Sequence, residues 1–243
     1  MASALAERER FLSKSRQHWE RQAQNWAAWA RTADFDAYWE YSPAFFELVP
    51  EPIGSTLEVG CGEGRVTRDL AARGHRVISV DGSTTLLRMA KDTDSDGIYL
   101  CSDAAALPFA DASFGTVVLY NVLMDVDDME GAVHEAARVL KAGGVMCACV
   151  THPIADAGTF DANDADASFR ISGTYLGPRR EFVGPIERDG LSMDFSGWSY
   201  PLEAYFQALH SAGLMVQSVR EPIGSGRWRR IPMFLMWRAV KAS

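Results

Sequence analysis

The sequence predicts an α/β protein built on a doubly wound, mostly parallel sheet of seven strands, preceded by helices and interrupted by an insertion after the fifth strand. Three observations predict it. An apolar run ending in closely spaced glycines, Leu57-Glu58-Val59-Gly60-Cys61-Gly62-Glu63-Gly64, passes into a helical pattern, which reads as strand, tight turn and helix N-terminus. Short apolar runs then alternate with segments of helical periodicity as far as residue 150. Successive runs also end in carboxylates, Asp81 and Asp103, and ligands of such sheets bind beyond the carboxyl ends of the strands.

Taken in order, residues 3–31 carry charged and apolar residues at helical spacing, with Phe11, Trp19, Trp26 and Trp29 recurring at a period near seven. Pro43 and Pro50 bracket a short helix over residues 44–49. Strands are expected at 56–60, 76–81, 97–101, 115–120 and 144–150, with helices at 64–73, 84–91 and 129–140 between them. Residues 153–200, rich in Gly, Asp and aromatics without sustained period, read as an insertion over the same edge of the sheet. A helix at 201–213 and strands at 214–221 and 231–240 complete the seven. The organisation is therefore an N-terminal helical lid (1–50), a core (51–152 and 201–243) and a substrate-side insertion (153–200).

Composition narrows the class. With 243 residues, 47% hydrophobic and 23% charged, the chain has the apolar mass for one large α/β core. A net charge of −8 argues against nucleic acid, although Arg179, Arg180, Arg227, Arg229 and Arg230 form local basic clusters. Cys61, Cys101, Cys147 and Cys149 lack metal-ligand spacing and read as strand residues in a reducing cytoplasm, so no metal is expected. No apolar run approaches the ~18 residues of a membrane span, and Ala6-Glu7-Arg8-Glu9-Arg10 is too polar for a secretory signal. The expectation is a cytoplasmic protein without membrane partners.

The glycine spacing selects the ligand. A dinucleotide loop reads Gly-x-Gly-x-x-Gly and aims helix N–H groups at a pyrophosphate, whereas Gly60, Gly62 and Gly64 alternate and Arg65 occupies the place of the third glycine. Glu58 would repel phosphate and suits an ammonium group. This segment resembles the first motif of the class I S-adenosylmethionine-dependent methyltransferases. The ordered segments Asp103 to Phe109, Phe114-Gly115-Thr116-Val117-Val118 and Glu135 to Gly144 extend that likeness to the small-molecule branch, across residues 55–150. The family usually has Asp where this chain has Gly115.

The resemblance implies a Rossmann-like fold, S-adenosylmethionine as cofactor and a role for each motif position. Glu58, Gly60, Cys61 and Gly62 would line the methionine portion, with Gly64 opening the helix. Asp81 would take both ribose hydroxyls beside Gly82 and Ser83, Leu86 would pack near the adenine, and Asp103 and Ala104 would bound it. Asn121 and Val122 would lie beneath the sulfonium. Trp26 and Tyr38 resemble lid residues of this branch, where aromatic faces gain cation–π energy from a sulfonium; equally, they staple the lid to the sheet.

For catalysis, methyl transfer needs alignment and, for some acceptors, proton removal. His152, directly after the fifth strand, is the leading base, with a strand-to-insertion hydrogen bond as its other reading; Asp125 is the second, unless it caps helix 129–140. Tyr175, Trp198 and Tyr200, with Phe160 and Phe169, would form an aromatic box for the substrate or the insertion's own small core. Asp161 to Asp166 departs from a calcium loop at Ala165 and reads as a solvated acidic turn. The sequence after the fourth strand, Asn121-Val122-Leu123-Met124, lacks the Asn-Pro-Pro-aromatic pattern of adenine and glutamine N-methyltransferases. The expected function is methyl transfer to N, O or C of a small molecule, in the manner of secondary metabolism. The competing readings are a nicotinamide-dependent oxidoreductase and a non-catalytic interaction module; oligomeric state is open.

Overall fold

The computed structural model describes residues 13–32, 34–172, 174–176 and 180–242. Residues 3–12 of the expected helical stretch 3–31, with Phe11, and Arg179 lie outside them. Helices α1 (Lys14–Arg31) and α2 (Tyr38–Phe46) precede a doubly wound core. The core begins β1 (Ser55–Val59), α3 (Arg65–Ala72), β2 (Arg76–Asp81), α4 (Thr84–Thr93) and β3 (Ile98–Cys101). It continues with β4 (Phe114–Tyr120), α5 (Met129–Val139) and β5 (Leu140–Thr151). After the short α6 (Pro153–Asp156) come two ribbons, β6 (Gly158–Phe160) with β7 (Phe169–Ile171) and β8 (Arg180–Arg188) with β9 (Leu191–Ser199). Helix α7 (Leu202–Ser211), β10 (Leu214–Arg220) and β11 (Phe234–Lys241) close the chain.

The seven core strands run in the order β10-β11-β5-β4-β1-β2-β3, with β11 antiparallel to both neighbours and the rest parallel. The expected mostly parallel seven-stranded sheet is therefore the observed one. Central β4 shows why it lies in the middle: all seven residues are buried, Val117 and Leu119 in one hydrophobic cluster and Val118 and Tyr120 in the other. Period-two side chains that are apolar on both faces require a layer of helices on each side. Among the described residues, no helix is long and apolar enough to cross a membrane.

Two local expectations change. Pro43 lies inside α2 instead of bracketing a helix, because Tyr38, Tyr41 and Phe45 form a buried stripe at helical spacing that outweighs the hydrogen bond proline forfeits. Gly115, the departure from the family pattern, is explained by a crossing backbone: a Cβ there would stand 1.5 Å from the Ile53 carbonyl oxygen.

The unpatterned insertion turns out to be ordered as ribbons. Asp189 and Gly190 (φ 47° and 81°) make the two-residue turn of β8–β9, both at positive φ as a type I′ hairpin requires. Helix α1 packs on β9, and His18 Nε2 bonds the Asp194 carbonyl oxygen at 2.8 Å. The acidic turn is held by the basic segment, Arg227 donating to Asn163 Oδ1 (2.5 Å) and Arg230 to the Ala167 carbonyl (2.6 Å).

Candidate active site

A cavity of about 730 Å³ opens where β1, β2 and β4 end, between those strand ends and a roof made by α1 and the β8–β9 ribbon. Its floor is the glycine loop. Gly60, Gly62 and Gly64 all sit at positive φ (72°, 56° and 85°), which side chains rarely tolerate. At Gly60 a Cβ would also fall 2.4 Å from Val122 Cγ2, so the loop and the segment after β4 press together. The loop spends its donors internally. The amides of Gly60 and Cys61 donate to the Val80 carbonyl (2.8 and 3.0 Å), Gly62 to Asp81 Oδ2 (2.8 Å) and Gly64 to the Cys61 carbonyl (2.9 Å). A pyrophosphate cradle needs such amides free.

Asp81 ends β2 and receives the amides of Gly62 and Ser83, one on each carboxylate oxygen (both 2.8 Å). Burial pushes its pKa up and those two amides pull the other way. Each oxygen retains a lone pair toward the cavity, which Asp81, Gly82, Ser83 and Leu86 line together. Ser83 caps α4 by accepting from the Leu86 amide (3.1 Å). Asp103 and Ala104 border the far end; Asp103 accepts the Ala105 amide (3.0 Å) and faces Arg16 at 3.9 Å.

At the opposite end, buried Glu58 accepts from the hydroxyls of Thr67 and Ser79. Burial raises its pKa to about 8 from an ordinary 4.5, against the pull of the Thr67 bond and with help from nearby Asp81. Asn121 leaves β4 at φ 55°, its amide bonded to the Cys149 carbonyl (2.9 Å) and its buried Oδ1 without a hydrogen-bond partner. Cys61, Asn121 and Val122 line the cavity, while Gly64 caps α3 behind it.

The roof joins the N-terminal helix to the insertion. Trp19, Trp26, Trp29, Phe35 and Phe195 line it. Arg65 stacks between Trp26 (5.2 Å) and Tyr38 (4.3 Å) and pairs with Asp36 at 2.9 Å. Tyr38 itself lies behind Arg65, bonded to Asp69 and outside the cavity, so the stapling reading of that residue describes its place. Helix α1 is tied down along its length. Glu20 collects Ser83, Thr84 and the amide and hydroxyl of Thr85 at the α4 N-terminus, and Arg31 reaches Glu63 (3.0 Å) and Thr93 (3.0 Å). Burial would raise the Glu20 pKa, but hydrogen bonds from Ser83, Thr85 and Thr84 prevail and lower it.

The two candidate bases separate. His152 does not line the cavity: its Nδ1 accepts the Ile154 amide (3.0 Å), capping α6, and its Nε2 bonds Glu221 (2.8 Å). Burial lowers its pKa, partly opposed by Glu221. Asp125 lines the cavity, and Asp128, not Asp125, caps α5 through the Gly131 amide (2.8 Å). Burial raises the Asp125 carboxyl well above the usual carboxylate range, with Asp156 and Asp81 adding to it.

The expected aromatic box does not assemble. Tyr175 accepts the Leu202 amide (3.1 Å), Trp198 and Tyr200 pack into the core, and Phe160 meets Phe169 and Trp228 edge to face (both 5.0 Å). From the insertion, Gly184, Ile186 and Phe195 line the cavity instead.

Residues 57–148 match the family model described as a methyltransferase domain. The demethylmenaquinone methyltransferase of Renibacterium salmoninarum is 34% identical over 112 residues, 44% of this chain and 47% of that protein. The malonyl-[acyl-carrier protein] O-methyltransferase of Erwinia pyrifoliae is 36% identical over 88 residues, 36% of this chain and 34% of the relative. The chain thus spans less than half the length of these curated relatives. A solved S-adenosylmethionine-dependent methyltransferase from Mesorhizobium loti superposes with a TM-score of 0.66 at 22% identity, over 85% of this chain and 98% of the other. The segment that matches the family model supplies the floor of the cavity, and the superposition extends the shared fold to most of the chain.

Proposed function

We propose that the chain is an S-adenosylmethionine-dependent methyltransferase acting on a small molecule held between the strand ends and the aromatic roof. The observation that carries this reading is the spent glycine loop: with the amides of Gly60, Cys61, Gly62 and Gly64 committed and Glu58 and Asp81 on the wall, the loop disfavours a phosphate and suits a cationic, phosphate-free nucleoside. The same observation disfavours a nicotinamide dinucleotide. When bound, the cofactor supplies a methyl group activated by its sulfonium.

The residues then have distinct tasks. Glu58 lies toward the ammonium group and Asp81 offers its spare lone pairs to the ribose hydroxyls, while Leu86 and Ala104 flank the base. Asn121 and Val122 bound the methyl-transfer line. Asp125, on the cavity wall, is the group placed to take a proton from the acceptor, and His152 caps α6. The roof excludes water. The relatives named above act on chemically different acceptors, so the likeness to them supports the cofactor and leaves the acceptor to the cavity's own chemistry.

Calorimetric titration tests this reading. S-adenosylhomocysteine is expected to bind one to one and NADH not to bind; saturable NADH binding, or no binding of S-adenosylhomocysteine, overturns it.

A further inference from the structure

We infer that the methyl acceptor is an organic amine that enters as its cation, with its charge between the aromatic roof and the carboxylate of Asp125. The inference rests on the methyltransferase reading and goes beyond it in naming the acceptor's class. Its first support is the roof. Trp19, Trp26, Phe195, Trp29 and Phe35 form a continuous chain of edge-to-face rings, with centroids 5.7, 6.3, 6.1 and 5.2 Å apart along it. Such faces attract desolvated cations. The roof already holds one, the Arg65 guanidinium 5.2 Å from the Trp26 ring.

The second support is the balance of charge and hydrogen bonding. Among the described residues lining the cavity, Arg65 and Arg16 are the only cations against eight Asp and Glu side chains; Arg65 pairs with Asp36 and Arg16 lies against the Gly82 carbonyl (3.4 Å) and Asp103, although each arginine keeps one buried nitrogen without a hydrogen-bond partner. A carboxylate or phosphate on the acceptor would meet a surplus of negative side chains there. The groups at the end of β4 demand the opposite kind of ligand. Asn121 Oδ1 is buried without a donor, and Asp125, with Asp81 and Asp156 nearby, sits in a field that ionises at a cost unless a positive charge enters. A hydroxyl satisfies the hydrogen bonds but leaves the charge uncompensated. An ammonium satisfies both.

The chemistry balances. The bound ammonium passes one N–H proton to the Asp125 carboxylate, and the freed nitrogen lone pair forms the N–C bond as the S–C bond breaks. The S–C electron pair stays on sulfur, giving a neutral thioether. The product leaves as the methylated ammonium, and Asp125 returns its proton to solvent.

Three probes sharing one ring separate charge from shape: benzylammonium, benzyl alcohol and benzoate, titrated calorimetrically with and without saturating S-adenosylhomocysteine. Benzylammonium is expected to bind at least tenfold more tightly than benzyl alcohol, and benzoate not at all. Asp125→Asn should weaken benzylammonium about tenfold while leaving benzyl alcohol and S-adenosylhomocysteine unchanged. Equal or tighter binding of the alcohol or of benzoate overturns the inference, as does a ranking indifferent to Asp125→Asn. Should that variant misfold, read from lost S-adenosylhomocysteine binding, the wild-type ranking decides alone. Failure of the wild type to bind S-adenosylhomocysteine would instead overturn the methyltransferase reading.

Discussion

The floor and the roof of the cavity are built on different principles. The floor joins residues within a few positions of strand ends, fixed by backbone: glycines at positive φ, amides given to Val80 and Asp81, and Gly60 pressed on Val122. The roof joins distant segments through side chains, α1 to the β8–β9 ribbon by ring contacts between Trp26 or Trp29 and Phe195 and α1 to α4 by Glu20. Substitutions in the floor should therefore break fold and cofactor binding together, whereas those in the roof should alter access and dissociation at small cost in stability.

The pH dependence of the floor is the largest expected effect. The pKa of Glu58 is raised in the folded state, from 4.5 to about 8, so the folded protein holds a proton that the unfolded chain has lost across that window. Its contribution to stability is complete below about pH 4.5, declines as pH rises to about 8 and is level beyond. At about 1.4 kcal/mol per pKa unit the decline is on the order of 3–5 kcal/mol. Denaturant unfolding of wild type and Glu58→Gln across that range should differ by this slope; parallel curves would remove Glu58 from the account.

Gly60→Ala comes next. Strain at φ 72° and overlap with Val122 should together cost about 2–4 kcal/mol, and adding Val122→Ala should recover only the overlap. Full recovery would show that φ is not limiting. Asp81→Asn keeps one carbonyl oxygen but loses charge-assisted bonds to two amides, worth about 1.5–3 kcal/mol in S-adenosylhomocysteine affinity or stability.

The roof should respond more mildly. Glu20→Gln weakens the grip on the α4 N-terminus by about 1 kcal/mol and should speed S-adenosylhomocysteine dissociation in stopped flow more than it lowers the melting temperature. The reverse pattern would make α1 a structural brace. His152→Ala removes a cap outside the cavity, with a loss of about 1 kcal/mol or less and unchanged S-adenosylhomocysteine affinity. A marked loss of affinity would return His152 to the site.

The same contrast explains what could be read from the sequence. Strand ends, glycine loop and Asp81 were legible because their chemistry is local: spacing in the chain is spacing in space. The two bases were not separable by position, since His152 and Asp125 both follow strand ends, and only the turn into α6, which draws Nδ1 onto the Ile154 amide, faces the histidine away. Pro43 misled because tertiary burial of Tyr38, Tyr41 and Phe45 overrode a local rule. The ribbon had left a signal, Asp189-Gly190 between two alternating runs, but nothing in its sequence said that Ile186 and Phe195 would face the cofactor crevice.

The central claim is that floor and roof form one ligand cavity, and amide hydrogen exchange with and without S-adenosylhomocysteine tests it most directly. Protection is expected in the glycine loop and at the start of α4, and also in α1 and β9 across the cavity. Protection confined to the floor, with α1 and β9 unchanged, would contradict it.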